Sequence, residues 1–462
     1  MMHKILYKPL FLMQLCCAIM LACCSTKAQA GIEVRSTEVD DTPLWFAEDN
    51  AVPVVHIILT FEGAGSSSDS DALSGRAGLV ASMLDEGAGQ MNSLAFQRAL
   101  ESNAIEFSAG AQKDDLVVSI HSLKEQLPTA VTLATLALSK PRFDADAFER
   151  VRNDKLASLK RAMSQPSYLA SRAFAKSLYG THPYGREPFG TQQTLNAITT
   201  EDLSAYRARY MTRANLQIAA AGAISKSELK EALEPLVEAL PEAFFPERDL
   251  PGASLDGKGN IIRIAHASPQ SVVMFGGMGI ARKDKDFYAA YMMNEALGSG
   301  ALTSRLMQEV RRKKGLAYSI GTALDAGVAA DGFIGQFSTK NSTVDESIAA
   351  VKGSVADLAA HGLGERECRD LRQEIINGFA LKLDSTEHIA QMIATMMRFD
   401  LGVDYLEKRT AFFENVTCDE VKQSAERLLD PKHWLWVVVG GDSSIASPEP
   451  TIVSDGLKDS GR

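Results

Sequence analysis

The stretch SRLMQEVRRKKGLAYSI, Ser304–Ile320, predicts a helix, a glycine turn and a strand in succession. Thr303 or Ser304 can cap the helix start, because either hydroxyl can accept a hydrogen bond from a free backbone N–H. Apolar side chains then recur at helical spacing, at Leu306, Met307 and Val310. The first part of the stretch is therefore predicted to pack one helical face on a core.

The second part of the stretch predicts the end of the helix and a strand after it. Two lysines, Lys313 and Lys314, suit the negative end of the helix dipole, and Gly315 can adopt the left-handed turn that ends a helix. Alternating residues then predict a strand, at Leu316, Tyr318 and Ile320. This unit would bring the Arg311 guanidinium close to the Tyr318 phenol, and both groups can donate hydrogen bonds to peptide carbonyls.

With the next glycine included, SRLMQEVRRKKGLAYSIG resembles the C-terminal-domain signature of the M16 metallopeptidases, the insulinase, pitrilysin and mitochondrial-processing-peptidase-like family. In that family an Arg and a Tyr seven positions apart contact the substrate backbone opposite the zinc ion. Arg311 and Tyr318 have this spacing, so the resemblance implies that they bind substrate. Without the resemblance, the simpler interpretation would be a solvated arginine beside a half-buried tyrosine.

Length and composition describe an ordinary globular protein with more than one domain. The chain has 462 residues, of which 45% are hydrophobic and 23% are charged. The formal net charge is −10 and the pI is about 5.4. An acidic chain of this kind does not favour nucleic acid as a partner.

The first thirty residues have the pattern of a secretory signal. A basic start and the apolar run Leu10–Ala22 precede Ala28-Gln29-Ala30, a small-x-small cleavage site before Gly31. The apolar run is too short for a comfortable membrane span, so we expect export to the periplasm of a Gram-negative cell. The alternative is lipoprotein processing at Cys23 or Cys24, although neither frame fits a lipobox well.

Cysteine usage agrees with export. Four of the six cysteines lie in the signal, and only Cys368 and Cys418 remain in the mature chain. Two cysteines without CxxC spacing form no zinc knuckle. They can form one disulfide, or they can be two separate buried thiols.

The mature chain shows an internal repeat. Ile198-Thr-Thr-Glu-Asp-Leu203 matches Val416-Thr-Cys-Asp-Glu-Val421 at an offset of 218 (416 − 198), and Pro53 has a counterpart in Pro269 at an offset of 216 (269 − 53). Two nearly equal offsets at opposite ends of one half indicate duplication. A stretch rich in Pro and Gly, residues 240–260, separates the halves and reads as a linker.

The repeat and the resemblance together predict the fold class and the domains. The fold is α+β, with two homologous M16/LuxS-like metallohydrolase domains, each a mixed, mainly antiparallel sheet with helices on one face. We expect a signal peptide at 1–30, an N-terminal domain at 31–240 and a linker at 241–260. A C-terminal domain with the Arg/Tyr motif is expected at 261–445, and a flexible tail at 446–462.

The zinc chemistry of the family is missing from the first domain. M16 enzymes carry HxxEH on a helix, whose spacing brings both histidines to one ion while the glutamate polarises a bound water. In GRAGLVASMLDEGAG, residues 75–89, Gly78 and Ser82 stand where the histidines belong, and Ala81 stands at the glutamate position. Counting back from Pro166 puts Ser158 at the third ligand position. We therefore expect no metal and no cofactor in this chain.

The remaining histidines and glycines show no second metal motif. No two of the eight histidines lie within five residues of each other, and none forms HxxEH, HExxH or a Cys/His cluster. His182, in HPYGREPFG, favours a structural loop histidine over a ligand. Gly298-Ser299-Gly300 is not a GxSxG motif and is either a flexible connection or a short relative of the substrate-handling glycine loop of the family's noncatalytic subunits.

The resemblance implies a subunit that positions substrate and leaves zinc to a partner. In that hypothesis the chain closes against an HxxEH-containing M16 homologue as a heterodimer. An extended peptide would add to a sheet edge of the partner, and Arg311 and Tyr318 would hold it across the cleft. The alternative is a nonenzymatic M16-like scaffold or peptide-binding protein. A self-sufficient peptidase would need a metal site that no sequence motif supports.

Overall fold

The computed structural model describes residues 32–242, 250, 252–253, 256–299, 302–441 and, as backbone, 451–453. The predicted signal peptide lies outside these residues, as do parts of the predicted linker and most of the predicted tail. The rest of the chain folds around two sheets, one in each half.

The first sheet is built from the first half of the chain. Its strands run in the order β1-β2-β8-β3-β7-β6, and only the β2–β8 pair is parallel. A two-stranded hairpin, β4 with β5, lies beside it. The bounds are β1 Val34–Val39, β2 Thr42–Glu48, β3 Val54–Phe61, β4 Gly87–Ala88, β5 Met91–Asn92, β6 Glu106–Ala111, β7 Leu116–Leu123 and β8 Leu216–Gly222.

The second sheet repeats this arrangement with the second half of the chain. Its order is β11-β12-β10-β13-β9-β14, and again one pair, β13–β9, is parallel. The sixth strand differs in origin, because β1 precedes its sheet in the chain whereas β14 follows it. The bounds are β9 Ile261–Ile264, β10 Ser268–Met278, β11 Ile320–Asp325, β12 Gly332–Lys340, β13 Leu435–Gly441 and β14 Thr451–Val453.

Two glycines show that the offsets of 218 and 216 residues found in the sequence relate equivalent positions of the two sheets. Gly222 and Gly440, which are related by the offset of 218 (440 − 222), have positive φ values of 142° and 152°. A Cβ at Gly222 would meet the backbone of Val55, and one at Gly440 would meet Ser271, which is related to Val55 by the offset of 216 (271 − 55). Only glycine allows the two central strands to approach so closely, so both halves keep it at the same place.

Helices surround the sheets. The helix that contains Gly78, Ala81 and Ser82 begins at Arg76, directly after the left-handed Gly75. The first half contains α1 Arg76–Met83, α2 Ser93–Ser102, α3 Leu127–Ser139, α4 Ala145–Met163, α5 Pro166–Tyr179, α6 Gln192–Ala197, α7 Thr200–Tyr210 and α8 Lys226–Glu238. The second contains α9 Phe287–Leu297, a π-helix at Met307–Lys313, α10 Val344–His361, α11 Glu365–Gly378, α12 Thr386–Arg398, α13 Tyr405–Glu414 and α14 Cys418–Leu428.

The α+β fold class predicted from the sequence is confirmed, and the structure adds one feature: each half contributes a helix to the sheet of the other half. Most helices of each half pack on one face of their own sheet around a large apolar core. The opposite face of each sheet is covered by one helix of the other half: α5 packs on β10 and β13, and α12 packs on β2, β3 and β8. Because each half covers the other's sheet, the two halves form one packed body.

A buried carboxylate ties the exchanged helices together. Asp114, in the turn between β6 and β7, is fully buried and accepts hydrogen bonds from the Tyr184 hydroxyl at 2.8 Å and from Arg398 at 3.1 Å. Tyr184 follows α5 and Arg398 ends α12. A buried charge is stable only when it is paired and hydrogen-bonded. This site therefore stabilises the packing of α5 and α12 on the sheets of the opposite halves.

The two mature cysteines are joined. Cys368 on α11 and Cys418 at the start of α14 form a disulfide, with Cα atoms 6.0 Å apart. Of the two alternatives that the sequence left open, the structure contains the disulfide. The cross-link connects two helices that pack on the second core.

Candidate substrate-positioning site and degenerate metal site

The segment that carries Arg311 is a π-helix, not the α-helix expected from the sequence. It spans Met307–Lys313, and the Lys314 N–H donates to the Glu309 carbonyl five residues back. Leu306 and Val310 are fully buried and fix one side of this helix on the second core. Short π-helical segments are rare and often lie at functional sites.

The segment that carries Tyr318 corrects the strand expected at Leu316–Ile320. Gly315 has the expected left-handed φ of 63°, but regular pairing begins only at Ile320. Leu316 is buried, and its carbonyl accepts a hydrogen bond from the Thr339 hydroxyl at 2.6 Å. The Tyr318 side chain is 77% exposed, so Leu316 and Tyr318 do not share a face as alternation predicted.

Arg311 and Tyr318 lie together as the sequence predicted. The Arg311 guanidinium carbon is 5.6 Å from the centre of the Tyr318 ring, within cation–π distance. Among the described residues, Arg311 makes no ion pair. Its N–H groups and the exposed Tyr318 hydroxyl are therefore available to an external acceptor, such as a peptide carbonyl.

The helix that aligns with the zinc motif is well formed, although its ligands are absent. Asp69, buried at 2% exposure, accepts hydrogen bonds from the Gly75 and Ala77 N–H groups, each at 3.1 Å, and pairs with Arg76. Burial raises the pKa of Asp69 to about 6, against the opposing effects of these donors. The buried carboxyl therefore holds the N-terminus of α1 in place.

A pocket of about 430 Å³ lies at the positions that align with the family's zinc motif. It brings together three of the positions singled out in the sequence: Ala81 and Ser82 on α1, and Ser158 on α4. A Cβ at Gly78 would have no other atom within 4 Å. The helices thus retain room for ligand side chains, but the residues present do not fit zinc, because no His or carboxylate stands at these positions.

Other charged side chains of this pocket were not singled out in the sequence. Glu86 pairs with Arg150, and Asp85 accepts a hydrogen bond from Gln97 at 3.1 Å. Burial raises the pKa of Asp85 and lowers the pKa of Lys155, which lies on α4 with Arg150. A local sequence pattern does not reveal these groups, since α1 and α4 meet only in the folded chain.

The histidines form no metal centre among the described residues. His182 is buried, and its Nδ1 accepts a hydrogen bond from the Tyr184 N–H at 3.1 Å, as expected of a loop histidine. Folding does bring His56 and His121, on neighbouring strands, to a ring separation of 5.6 Å. Nevertheless, no group of three or more His, Cys, Asp or Glu side chains in the described chain can hold a metal ion.

The chain belongs to the M16 peptidase family. Residues 46–192 match the family model described as insulinase (peptidase family M16), and residues 197–375 match the model described as peptidase M16 inactive domain. The first match lies within the first half of the chain, and the second runs from the end of the first half into the second. The family resemblance of the sequence is therefore confirmed.

Relatives include proteins described both as peptidases and as non-peptidases. A non-peptidase homologue, YmxG of Helicobacter pylori, is 27% identical over 363 residues, which cover 78% of this chain and 82% of the relative. An uncharacterized zinc protease of Mycobacterium tuberculosis, Rv2782c, is 26% identical over 391 residues, which cover 83% and 88% of the two chains. The same architecture therefore occurs in proteins given opposite descriptions.

Two solved structures share the fold. The peptidase M16 inactive domain from Pseudomonas fluorescens superposes with a TM-score of 0.83 at 28% identity and covers 88% of this chain and 98% of its own. The periplasmic protease PqqL of Escherichia coli has a TM-score of 0.75 at 14% identity, over 89% of this chain and 46% of its own. In the part of this chain that the structure describes, none of the helices is both long and apolar enough to cross a bilayer.

Proposed function

We propose that the chain is the non-zinc-binding, substrate-positioning subunit of an exported, heterodimeric M16 zinc metalloendopeptidase that degrades or processes peptides. The observation that carries the proposal is the contrast between two sites in one chain. The Arg311/Tyr318 pair is assembled, with Tyr318 exposed and Arg311 half-buried. In the first half, in contrast, the positions that align with the zinc ligands carry Gly78, Ser82 and Ser158, and the glutamate position carries Ala81, so none of them offers an imidazole or a carboxylate.

The structure of the Arg/Tyr pair supports a positioning role. Leu306, Val310 and Leu316 are buried and fix the two backbone segments of the pair on the core. The hydrogen-bond donors of both side chains are therefore attached to well-positioned backbone. An arginine and a tyrosine held in this way can bind successive carbonyl groups of an extended peptide and reduce its freedom before reaction. Zinc, general base and hydrolytic water would all come from an HxxEH-bearing M16 partner.

We propose export through residues 1–30, with Gly31 as the mature N-terminus and a periplasmic location. The basic, apolar and Ala-Gln-Ala order of the signal supports this route. Mass spectrometry of the mature N-terminus distinguishes it from lipid modification at Cys23 or Cys24.

The decisive experiment mixes this chain with its zinc-bearing partner subunit and measures how substitutions of Arg311 and Tyr318 change peptide cleavage. A hydrogen bond from a charged donor that tightens in the transition state contributes roughly 1.5–3 kcal/mol, so Arg311→Ala should lower kcat/KM about tenfold to hundredfold. Tyr318→Phe removes a neutral donor and should cost about threefold to tenfold. The double variant should lose less than the product of both losses if one peptide segment binds both groups.

Arg312→Ala is the matched control. Arg312 is exposed on the same helix and donates to Gln308 at 3.2 Å, so its loss removes a neighbouring charge without touching the pair. Partner affinity and stability should change little in all variants, by about 1 kcal/mol or less. Unchanged kcat/KM in the Arg311 and Tyr318 variants, with the complex intact, would reject positioning and favour a nonenzymatic scaffold.

A further inference from the structure

A second cavity lies in the second half, where it corresponds to the degenerate metal pocket of the first. It encloses about 420 Å³ between α9, α11 and the start of the π-helix segment. Asp370 and Glu374 line it, and they are related to Asp154 and Ser158 of the first pocket by the offset of 216 (370 − 154 and 374 − 158). We call it the acidic pocket; its other lining residues are Tyr291, Glu295, Ala296, Thr303, Ser304, Glu367, Leu371, Ile375, Gly378 and Lys382.

The charges of the acidic pocket are unbalanced. Four carboxylates line it, and the one lysine, Lys382, contacts the Tyr291 hydroxyl at 3.4 Å. Glu374 makes no hydrogen bond or ion pair with any described residue. Glu367, Asp370 and Glu374 are three or four residues apart on α11, and like charges at this spacing destabilise a helix. A bound cation would relieve this repulsion.

Two of these carboxylates also pair with arginines that do not line the pocket. Glu367 lies 3.4 Å from Arg305, and Asp370 lies 3.5 Å from the exposed Arg366. The Asp370–Arg366 pair is exposed and contributes little, and Arg305 also pairs with Asp357 at 2.8 Å, so the arginines compensate the carboxylates only in part.

A buried hydroxyl without a partner lies at the same cavity. Ser304 is 3% exposed and lines the acidic pocket, and its Oγ makes no hydrogen bond with any described residue. A buried polar atom without a partner is costly, so such atoms are usually satisfied by a ligand or by water. This observation is independent of the carboxylates and indicates a donor-bearing ligand.

The shape of the acidic pocket selects the kind of cation. Ala296, Leu371 and Ile375 form apolar wall area between the carboxylates. A lysine or arginine side chain has the matching form, because its aliphatic stem packs on apolar surface while its charged head remains among polar groups. Among the described residues, these carboxylates form no group that can hold a metal ion.

We propose that the acidic pocket binds a lysine or arginine side chain of the peptide that Arg311 and Tyr318 position, which makes basic peptides the preferred substrate class. This inference rests on the proposed function. Ser304 directly precedes the helical segment that carries Arg311 near its other end, so the acidic pocket and the Arg/Tyr pair lie at the two ends of that segment.

The test measures binding of fluorescent peptides to the full mature chain at low ionic strength. Peptides are identical except that one lysine is moved along the sequence or replaced by glutamine. The wild-type chain should bind the best lysine peptide about tenfold more tightly than its glutamine counterpart. Asp370→Asn combined with Glu374→Gln should reduce this ratio to about one, and added salt should reduce it as well.

Two single variants test the pocket further. Glu365→Gln is the matched control, because Glu365 lies on the same helix outside the pocket and pairs with Arg369 at 3.5 Å; it should leave the ratio unchanged. Ser304→Ala should lower the ratio severalfold without lowering stability, since it removes a hydroxyl that has no partner among the described residues.

The outcomes separate this inference from the proposed function. Arg311→Ala should weaken binding of the lysine and glutamine peptides equally, and its failure to do so would count against the proposed function alone. A ratio near one for every lysine position, or a ratio unchanged in the double variant, would overturn the acidic-pocket proposal. Equally tight binding of free n-butylamine would also overturn it, because the pocket would then recognise a small amine and not a peptide side chain.

Discussion

The degenerate metal pocket and the acidic pocket lie at equivalent places in the two halves, yet their side chains differ greatly. In the first half, Asp154 and Ser158 on α4 face α1, which carries alanine and serine at the pocket. In the second, Asp370 and Glu374 on α11 face α9, which contributes Glu295.

This difference teaches that the fold and the chemistry are set by different residues. The equivalent glycines, Gly222 and Gly440, and the central strands maintain the frame in both halves. Polar residues that line the pockets, such as Ser158 and Glu374, are exposed and lie outside the two apolar cores. The chemistry of the pockets can therefore change without loss of the fold.

The largest expected effect comes from building the family's zinc ligands into the first half. Gly78→His, Ala81→Glu, Ser82→His and Ser158→Glu together should bind about one zinc ion per chain. The last three positions line one pocket, and a Cβ at Gly78 would meet no other atom within 4 Å. The wild-type chain should bind no stoichiometric zinc. Metal analysis by mass spectrometry after desalting measures both.

The control for this set of substitutions carries only Ala81→Glu and Ser158→Glu. Without the two histidines it lacks half of the introduced side chains and should bind no stoichiometric zinc. If the wild-type chain already contains about one zinc, together with chelator-sensitive proteolysis, the comparison between the halves is wrong.

The next effect concerns how each half joins its equivalent helices. In the second half, the Cys368–Cys418 disulfide joins α11 and α14 across 50 residues. Replacing both cysteines with alanine should lower the free energy of unfolding by about 4 kcal/mol, because the unfolded chain regains the freedom of a long loop. Urea unfolding with and without reductant measures this, and reduced wild type should resemble the variant.

In the first half, no cysteine stands at the positions equivalent to Cys368 and Cys418. A hydrogen bond from an arginine joins α4 to the segment before α7 instead. Arg152 on α4 donates to the Ile198 carbonyl at 2.5 Å, just as Arg372 on α11 donates to Val416 at 2.6 Å. Arg152→Ala should therefore cost only about 1–3 kcal/mol, and that cost should not respond to reductant. Two free thiols found in the unreduced, denatured wild-type chain would contradict the disulfide.

The smallest expected effect is a difference in pH response between the starts of α1 and α9. Burial raises the pKa of Asp69 to about 6, so the folded state favours the protonated carboxyl. The stability from this proton is present below the unfolded pKa, near 3.9, and is lost as pH rises to about 6. Asp69→Asn should remove about 2 kcal/mol of this pH dependence, measured by urea unfolding between pH 4 and pH 6.5.

Asp284, before α9, should show the opposite sign. A hydrogen bond from the Asp286 N–H and the nearby Arg427 lower the pKa of Asp284, so its contribution is present above the unfolded pKa and is lost on acidification. Asp284→Asn should therefore lower stability above about pH 4, and its effect should fade at lower pH. A wild-type chain whose stability rises steadily from pH 4 to pH 6, with Asp69→Asn behaving identically, would contradict the Asp69 assignment.

The sequence predicted those features that depend on neighbours along the chain. The left-handed Gly315 and the approach of Arg311 to Tyr318 follow from local spacing, and the structure contains both. The repeat offsets located equivalent strands, because duplicated segments keep their order. The family and the missing zinc ligands could be read in the same way, from short motifs.

What only the tertiary structure decided are the contacts between distant segments. The exchange of α5 and α12 between the sheets, the burial of Asp114 between Tyr184 and Arg398, and the acidic pocket carry no local signal. Each arises because apolar faces and buried charges find partners far along the chain. Local periodicity shows that a helix has a face to bury, but only folding shows which sheet will cover it.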